Sequence, residues 1–216
     1  MSDGINPHVG INYMRITNGC KDKQFIVADA CNNATEPVLR ELFANASMPL
    51  KPGVNVINCT TEDLMGRYDL KEGIDMVVYT EDGTRHTLQQ KTLHTSFRTC
   101  TFEETKWTIV EDSLTEVKGA WYYCTAQFYY VVYTNESQEE LRRQLTQNQF
   151  TPTIREGILI NLPKIHELSK QGLIKWKYRH NAKYRSNSFR FFMIDETPNE
   201  CLVSHKIYEP EMELPF

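Results

Sequence analysis

Two strand-forming stretches flank one short turn, and the length of that turn decides which side chains can meet. Residues 74–80 (Ile-Asp-Met-Val-Val-Tyr-Thr) carry the β-branched and aromatic content of a strand. Glu81-Asp82-Gly83 has turn chemistry, and residues 85–95 form a second strand. Together they predict a β-hairpin. A two-residue turn at Asp82-Gly83 would pair Glu81 with Thr84 and set Asp75 across from Gln90. A three-residue loop with Gly83 at positive φ pairs Thr80 with Thr84 instead, and Asp75 then faces Gln89. Gln89 and Lys91 lie two apart on one strand, so they share a face. Only the three-residue loop gathers Asp75, Gln89 and Lys91, and that register is the expectation adopted.

These residue types suit one kind of chemistry. A hard divalent cation can polarise a phosphodiester and acidify a water. Mg²⁺ takes oxygen ligands at about 2.1 Å, typically one or two carboxylates with waters and substrate phosphate. Asp75 offers a carboxylate, Gln89 an amide oxygen and Gln90 the adjacent backbone carbonyl. Lys91 can orient the attacking water or offset charge building on the phosphate. The competing reading is a solvated hairpin with polar residues on its outer face.

Gly73-Ile74-Asp75 on one strand and Gln89-Gln90-Lys91 on the next, with Leu88 before and Thr92 after, resembles the PD-(D/E)XK nuclease superfamily. The Gln form resembles the Mrr-like restriction endonucleases in particular. The resemblance covers mainly residues 60–95, with looser agreement to about residue 134. It implies a restriction-endonuclease-like α/β fold: a mixed central β-sheet flanked by helices, one of them crossing the sheet. It implies a metal-dependent endonuclease that hydrolyses phosphodiester bonds of nucleic acid, DNA being the expected substrate. Mg²⁺ or Mn²⁺ would be the cofactor, and a homodimer the expected assembly. Ile74 stands where the family's Pro is usual, and Gln89 where an acid is usual. The second departure removes one negative charge from the metal site. It keeps open a catalytically silent nucleic-acid-binding or partner-binding protein on the same fold. Family members often carry a further acid on the first helix. Glu36, Glu41, Glu62 and Asp63 are candidates; Glu41 has the better mid-helix position, and Asp63 lies nearer the hairpin in sequence.

A second feature is electrostatic. Residues 169–194 hold seven cations (Lys170, Lys175, Lys177, Arg179, Lys183, Arg185 and Arg190) and no acid. The net charge of −4 leaves −11 for the rest of the chain, so one basic face on an acidic body is expected. Aromatic residues interleave with the cations. Lys175, Trp176, Lys177, Arg179, Lys183, Tyr184 and Arg185 are therefore candidates for nucleic-acid contact, with cations on phosphates and rings on bases. The alternative is a surface hairpin with core aromatics on one side and solvated charge on the other, a face that could also hold an acidic protein partner.

The rest of the chain reads as one α/β domain spanning 1–216, with a basic C-terminal hairpin at about 173–194. A helix is expected over 35–46, with Thr35 as cap, Pro37 in its first turn and Val38, Leu39, Leu42 and Phe43 on its apolar side. A short strand is expected at 54–59, a second helix from 60 to 66 and a polar helix over 136–147. In the apolar run 121–134 a short helix leads into a buried strand at 128–133, and 154–171 reads as a helix interrupted near Pro163. Gln127 is a candidate to line a cleft. His86 and His94, on the motif strand, read as core or solvated, with approach to the site as the alternative; Glu103, Glu104 and Lys106 read as a solvated face, and Cys100 and Cys124 as buried thiols. The six cysteines form no metal-ligand spacing, and free thiols are expected. Hydrophobic content of 40% and charge of 24% argue against disorder. No apolar run reaches the roughly 20 residues of a membrane helix. With no secretory signal visible at the N-terminus, a cytoplasmic location is expected.

Overall fold

Strands dominate the computed structural model, which describes residues 27, 30–52, 57–58, 73–110, 113–180 and 188–209. Six of them form a central sheet in the order β1 (Ile57–Asn58), β2 (Met76–Tyr79), β3 (Arg85–His94), β6 (Phe128–Thr134), β7 (Ile154–Asn161), β10 (Leu202–Ile207). Every neighbouring pair is antiparallel except β3 and β6, which run parallel. A second sheet has the order β5 (Ser113–Lys118), β4 (Thr99–Val110), β9 (Ser188–Met193), β8 (Lys177–His180). The protein is thus mixed α/β, with a mostly antiparallel central sheet flanked by helices. Among the described residues no helix is long and apolar enough to cross a membrane.

The pleat sends alternate residues of the central sheet into two different cores. On one face Met76, Val78, Leu88, Tyr130, Val132 and Leu159 pack under helix α1 (Glu36–Asn45). Its buried residues are Val38, Leu39, Leu42 and Phe43, the side expected from sequence. The helix comes so close to β7 that a Cβ on Gly157 would collide with Val38 Cγ1. On the other face Val77, Tyr129, Val131, Tyr133, Ile158 and Ile160 pack against Cys100, Phe102 and Phe192 of the second sheet and against helix α3 (Leu162–Lys170). Tyr129 and Tyr133 donate their hydroxyls to the carbonyls of Thr101 and Thr99 at 3.0 and 3.1 Å, which satisfies two buried phenols and ties the sheets together.

Several expectations need correction. Residues 154–171 are not one interrupted helix. Ile154–Asn161 is strand β7, and the helix begins at Leu162. Asn161 caps it by accepting the Lys164 N–H at 3.0 Å, and Pro163 sits in its first turn, so the proline starts the helix rather than breaking it. Strands β4, β5 and β10 were not expected. The parallel link from β3 to β6 runs through the β4–β5 hairpin and a 3-10 turn at Ala120–Tyr122, not through a crossing helix. Thr35 precedes α1 but makes no side-chain cap; its hydroxyl instead accepts from Gln90 Nε2 at 3.1 Å. Glu104 is not solvated: it is largely buried and ion-paired with Arg190. The expected short helix and buried strand of 121–134 and the polar helix α2 (Gln138–Thr146), with its Ser137–Glu140 capping box, are present. The helix expected over 60–66 lies outside the described residues.

Candidate active site

The hairpin adopts the three-residue loop. Tyr79 pairs with Arg85, the Thr80 N–H donates to the Thr84 carbonyl at 3.0 Å, and Gly83 has φ +85°. Asp82 closes the loop from inside, with Oδ1 accepting from Thr80 Oγ1 at 2.5 Å and from the Thr84 N–H at 2.9 Å. Carried down the ladder, this register sets Met76 against Leu88. Asp75, one residue earlier and just outside β2, donates its N–H to the Leu88 carbonyl at 2.8 Å.

Gln89 and Lys91 alternate onto the face of β3 that carries Val77 and Tyr79 on β2. Next to Gln89 in the parallel ladder is Tyr129, and next to Lys91 is Val131. Gln89 is 5% exposed, and its Oε1 has no hydrogen-bond partner among the described residues. Lys91 is exposed and Asp75 half-buried. Asp75 Oδ2 accepts the backbone N–H of Gln90 at 2.7 Å, which fixes the carboxylate against β3. Gln90 points its side chain to the opposite face, so only its backbone meets Asp75. Its side chain, 6% exposed, links β3 to the start of α1 through Thr35.

Gly73 and Cys124 form the floor beside Asp75. Gly73 has φ +61°, a conformation that a side chain would strain, and a Cβ there would lie 3.0 Å from Cys124 Cβ. The Cys124 thiol donates to the Gly73 carbonyl at 3.2 Å. Burial pushes this thiol up to about 12, a hydrogen bond with the Ala126 backbone opposes the rise, and the charges of Asp75 and Lys91 act on it in opposite directions. Cys124 was expected only as a buried thiol. Its place beside Asp75 depends on the turn at 120–124, which has no sequence signature.

The further acid is not supplied by Glu41. Its carboxylate accepts from Tyr208 Oη at 2.7 Å and pairs with Lys206 Nζ at 2.9 Å, contacts that hold its pKa below the usual carboxylate range. These partners lie at the β10 edge, with β6 and β7 between them and β3. Strands are spaced about 4.8 Å apart, so Glu41 is directed well away from Asp75. Asp63 lies outside the described residues, and Glu36 pairs with Arg40 at 2.7 Å. Among the described residues no three His, Cys, Asp or Glu side chains gather as a metal-binding group. Gln127 does not open a cleft; its Oε1 accepts the Thr87 N–H at 3.2 Å and extends the β3–β6 pairing.

A hairpin of β8 and β9 forms within the basic segment, starting at Lys177 rather than at about 173, with Lys177 paired with Phe191 and Arg179 with Phe189. Lys175, Lys177 and Arg179 are exposed. Lys183, Tyr184 and Arg185 lie outside the described residues. Trp176, expected as a stacking platform, faces inward. It meets Phe102, Trp121 and Phe192 at centroid distances of 6.0, 4.8 and 5.4 Å, and its Nε1–H donates to Ser169 at 2.8 Å. The guanidinium of Arg190 lies 5.3 Å from the same ring and 4.6 Å from that of Trp121. The indole is thus half-buried against the core, packed on rings of its own chain.

Comparison with known protein families, with curated proteins and with solved structures finds no match to this chain.

Proposed function

We propose that the protein is a metal-dependent nuclease with a restriction-endonuclease-like fold, using Mg²⁺ or Mn²⁺ to hydrolyse phosphodiester bonds of nucleic acid, DNA first among them. The observation that supports this reading is the approach of Asp75 to β3: its Oδ2 accepts the Gln90 N–H at 2.7 Å, one residue from Gln89, whose Oε1 is buried and without a partner among the described residues. A buried amide oxygen without a donor is costly unless something satisfies it, and a hard cation would do so. Asp75, Gln89 Oε1 and the Gln90 carbonyl would hold that cation, which when bound polarises the phosphate and lowers the pKa of a water. Asp75 is kept in place by the Gln90 N–H. Lys91, exposed at the rim, is positioned to meet phosphate oxygens and offset their growing charge.

A cleavage panel with plasmid DNA, single-stranded DNA and RNA, each with Mg²⁺, Mn²⁺ or chelator, tests the assignment. Cleavage that needs metal and disappears in both Asp75→Ala and Lys91→Ala supports it; full activity in both variants sinks it.

A second reading, a nucleic-acid-binding protein that has lost cleavage, is favoured by Gln89. The site as described holds one carboxylate against one ammonium, so its attraction for a divalent cation is weaker than with an acid at that position. Salt-sensitive binding without cleavage in any metal would support this reading.

A further inference from the structure

We propose that the outer face of the four-stranded sheet is a platform for single-stranded nucleic acid, with Phe189 and Phe191 as stacking rings and Lys177 and Arg179 as phosphate contacts. The proposal rests on the nucleic-acid reading of the basic segment, but not on cleavage.

The register sorts this hairpin into two sides. Arg190 pairs with Phe102 and Tyr178, and Phe192 pairs with Cys100. Phe102, Cys100 and Phe192 are all buried between the sheets, so this is the inner side. Phe189 and Phe191 therefore point outward. Thr101 neighbours Phe191 and Glu103 neighbours Phe189 on β4, while Lys177 and Arg179 flank the same two rings on β8. Directly opposed residues in an antiparallel pair hold their Cβ atoms about 4.5–5.5 Å apart, so each ring sits beside one cation.

Both residues are half-buried, and neither belongs to a hydrophobic core cluster among the described residues. Partly accessible aromatic rings on a sheet face, two residues apart and edged by cations, suit unpaired bases, whose π-faces are free. A duplex keeps its bases stacked on one another and presents only phosphate to such a surface. The charge fits an anionic partner. Lys175 and Arg179 are exposed, and Lys177 meets Glu196 at 3.4 Å in an exposed ion pair of the weak kind that a phosphate can displace. Glu103 on the β4 side disfavours phosphate there, which directs the strand's backbone along β8.

The test uses the full chain in chelator, so that nothing is cut. Fluorescence anisotropy follows its binding to labelled oligothymidylate and to the same strand in a duplex, over a range of salt. The single strand should bind more tightly. Phe189→Leu with Phe191→Leu keeps apolar volume but removes both rings. This variant should weaken single-strand binding about tenfold or more and leave the salt slope unchanged. Lys177→Gln with Arg179→Gln should reduce the log–log salt slope by roughly 1.4, at about 0.7 per lost contact on a single strand. Circular-dichroism melting confirms that the variants fold. Unchanged affinity in the phenylalanine variant, preference for the duplex, or no binding to either overturns the proposal. Ring-dependent binding by a chain that cleaves nothing would keep the platform and overturn the nuclease. Metal-dependent cleavage with ring-independent binding would do the reverse.

Discussion

Asp75 Oδ2 accepts the backbone N–H of Gln90 at 2.7 Å. The carboxylate thus has a structural duty as well as a proposed chemical one, and substitutions can separate them. Asp75→Asn keeps an acceptor oxygen but removes the charge, so its Tm should stay near that of the parent while metal-dependent cleavage is lost. Asp75→Ala removes both and should also cost about 1–2 kcal/mol of stability in denaturant titration. Cleavage by the Asn variant at the parent rate would remove the carboxylate from the chemistry.

Gln89→Glu places a carboxylate where an unpartnered amide oxygen is now buried. Without metal the new charge is desolvated, and unfolding should occur at lower temperature than in the parent. Mg²⁺ should restore the loss and bind more tightly than to the parent. Calorimetry and thermal melts with and without metal read both effects. A melt indifferent to Mg²⁺ in this variant would mean that no cation sits there.

Cys124 keeps its proton until about pH 12 in the folded chain, chiefly because it is buried. The neutral thiol's contribution to stability is full below the ordinary thiol range and is lost as pH rises toward that value. Alkylation by iodoacetamide, followed by mass spectrometry, should be slow at pH 8 in the native protein and fast in urea. Rapid native labelling at that pH would contradict the half-buried placement of Cys124.

Trp176→Ala should destabilise the protein by about 3 kcal/mol, because the indole packs with Phe102, Trp121 and Phe192. Tyr178→Ala, at a ring 62% exposed, should be far milder. Chemical denaturation ranks the two, and equal effects would contradict an inward Trp176.

Gly157→Ala forces a methyl group into Val38 and Leu42. A loss of about 1–3 kcal/mol is expected from overpacking between α1 and β7. An unchanged denaturation midpoint would show that the helix can move off the strand at no cost.

What could be read in advance was local. Strand content around Glu81-Asp82-Gly83 and a pleat of period two were enough to set the three-residue loop and the β2–β3 register, since the hairpin needs no distant contact. The apolar stripe of α1 and the capping box at Ser137 were legible for the same reason. Long-range pairing was not. Nothing in Ile154–Asn161 tells a buried strand from a helix until Tyr129 and Tyr130 are known to lie beside it. Glu41 looked suitable by its helix position, yet its neighbours Lys206 and Tyr208 come from the far end of the chain. Trp176 looked like a nucleic-acid contact because alternation does not say which side of a hairpin is covered.

The parallel ladder between β3 and β6 also sets an order of assembly. The β2–β3 hairpin closes over a handful of residues, whereas Thr87 and Gln127 at the start of the β3–β6 ladder are 40 residues apart. Closing the longer loop costs more chain entropy and delays the contacts it brings. The β2–β3 pairing is therefore expected early in folding, on a strand whose other edge is still bare. The wall formed by Tyr129 and Val131 is added only when the whole β4–β5 excursion has come home, and until then Gln89 remains in water.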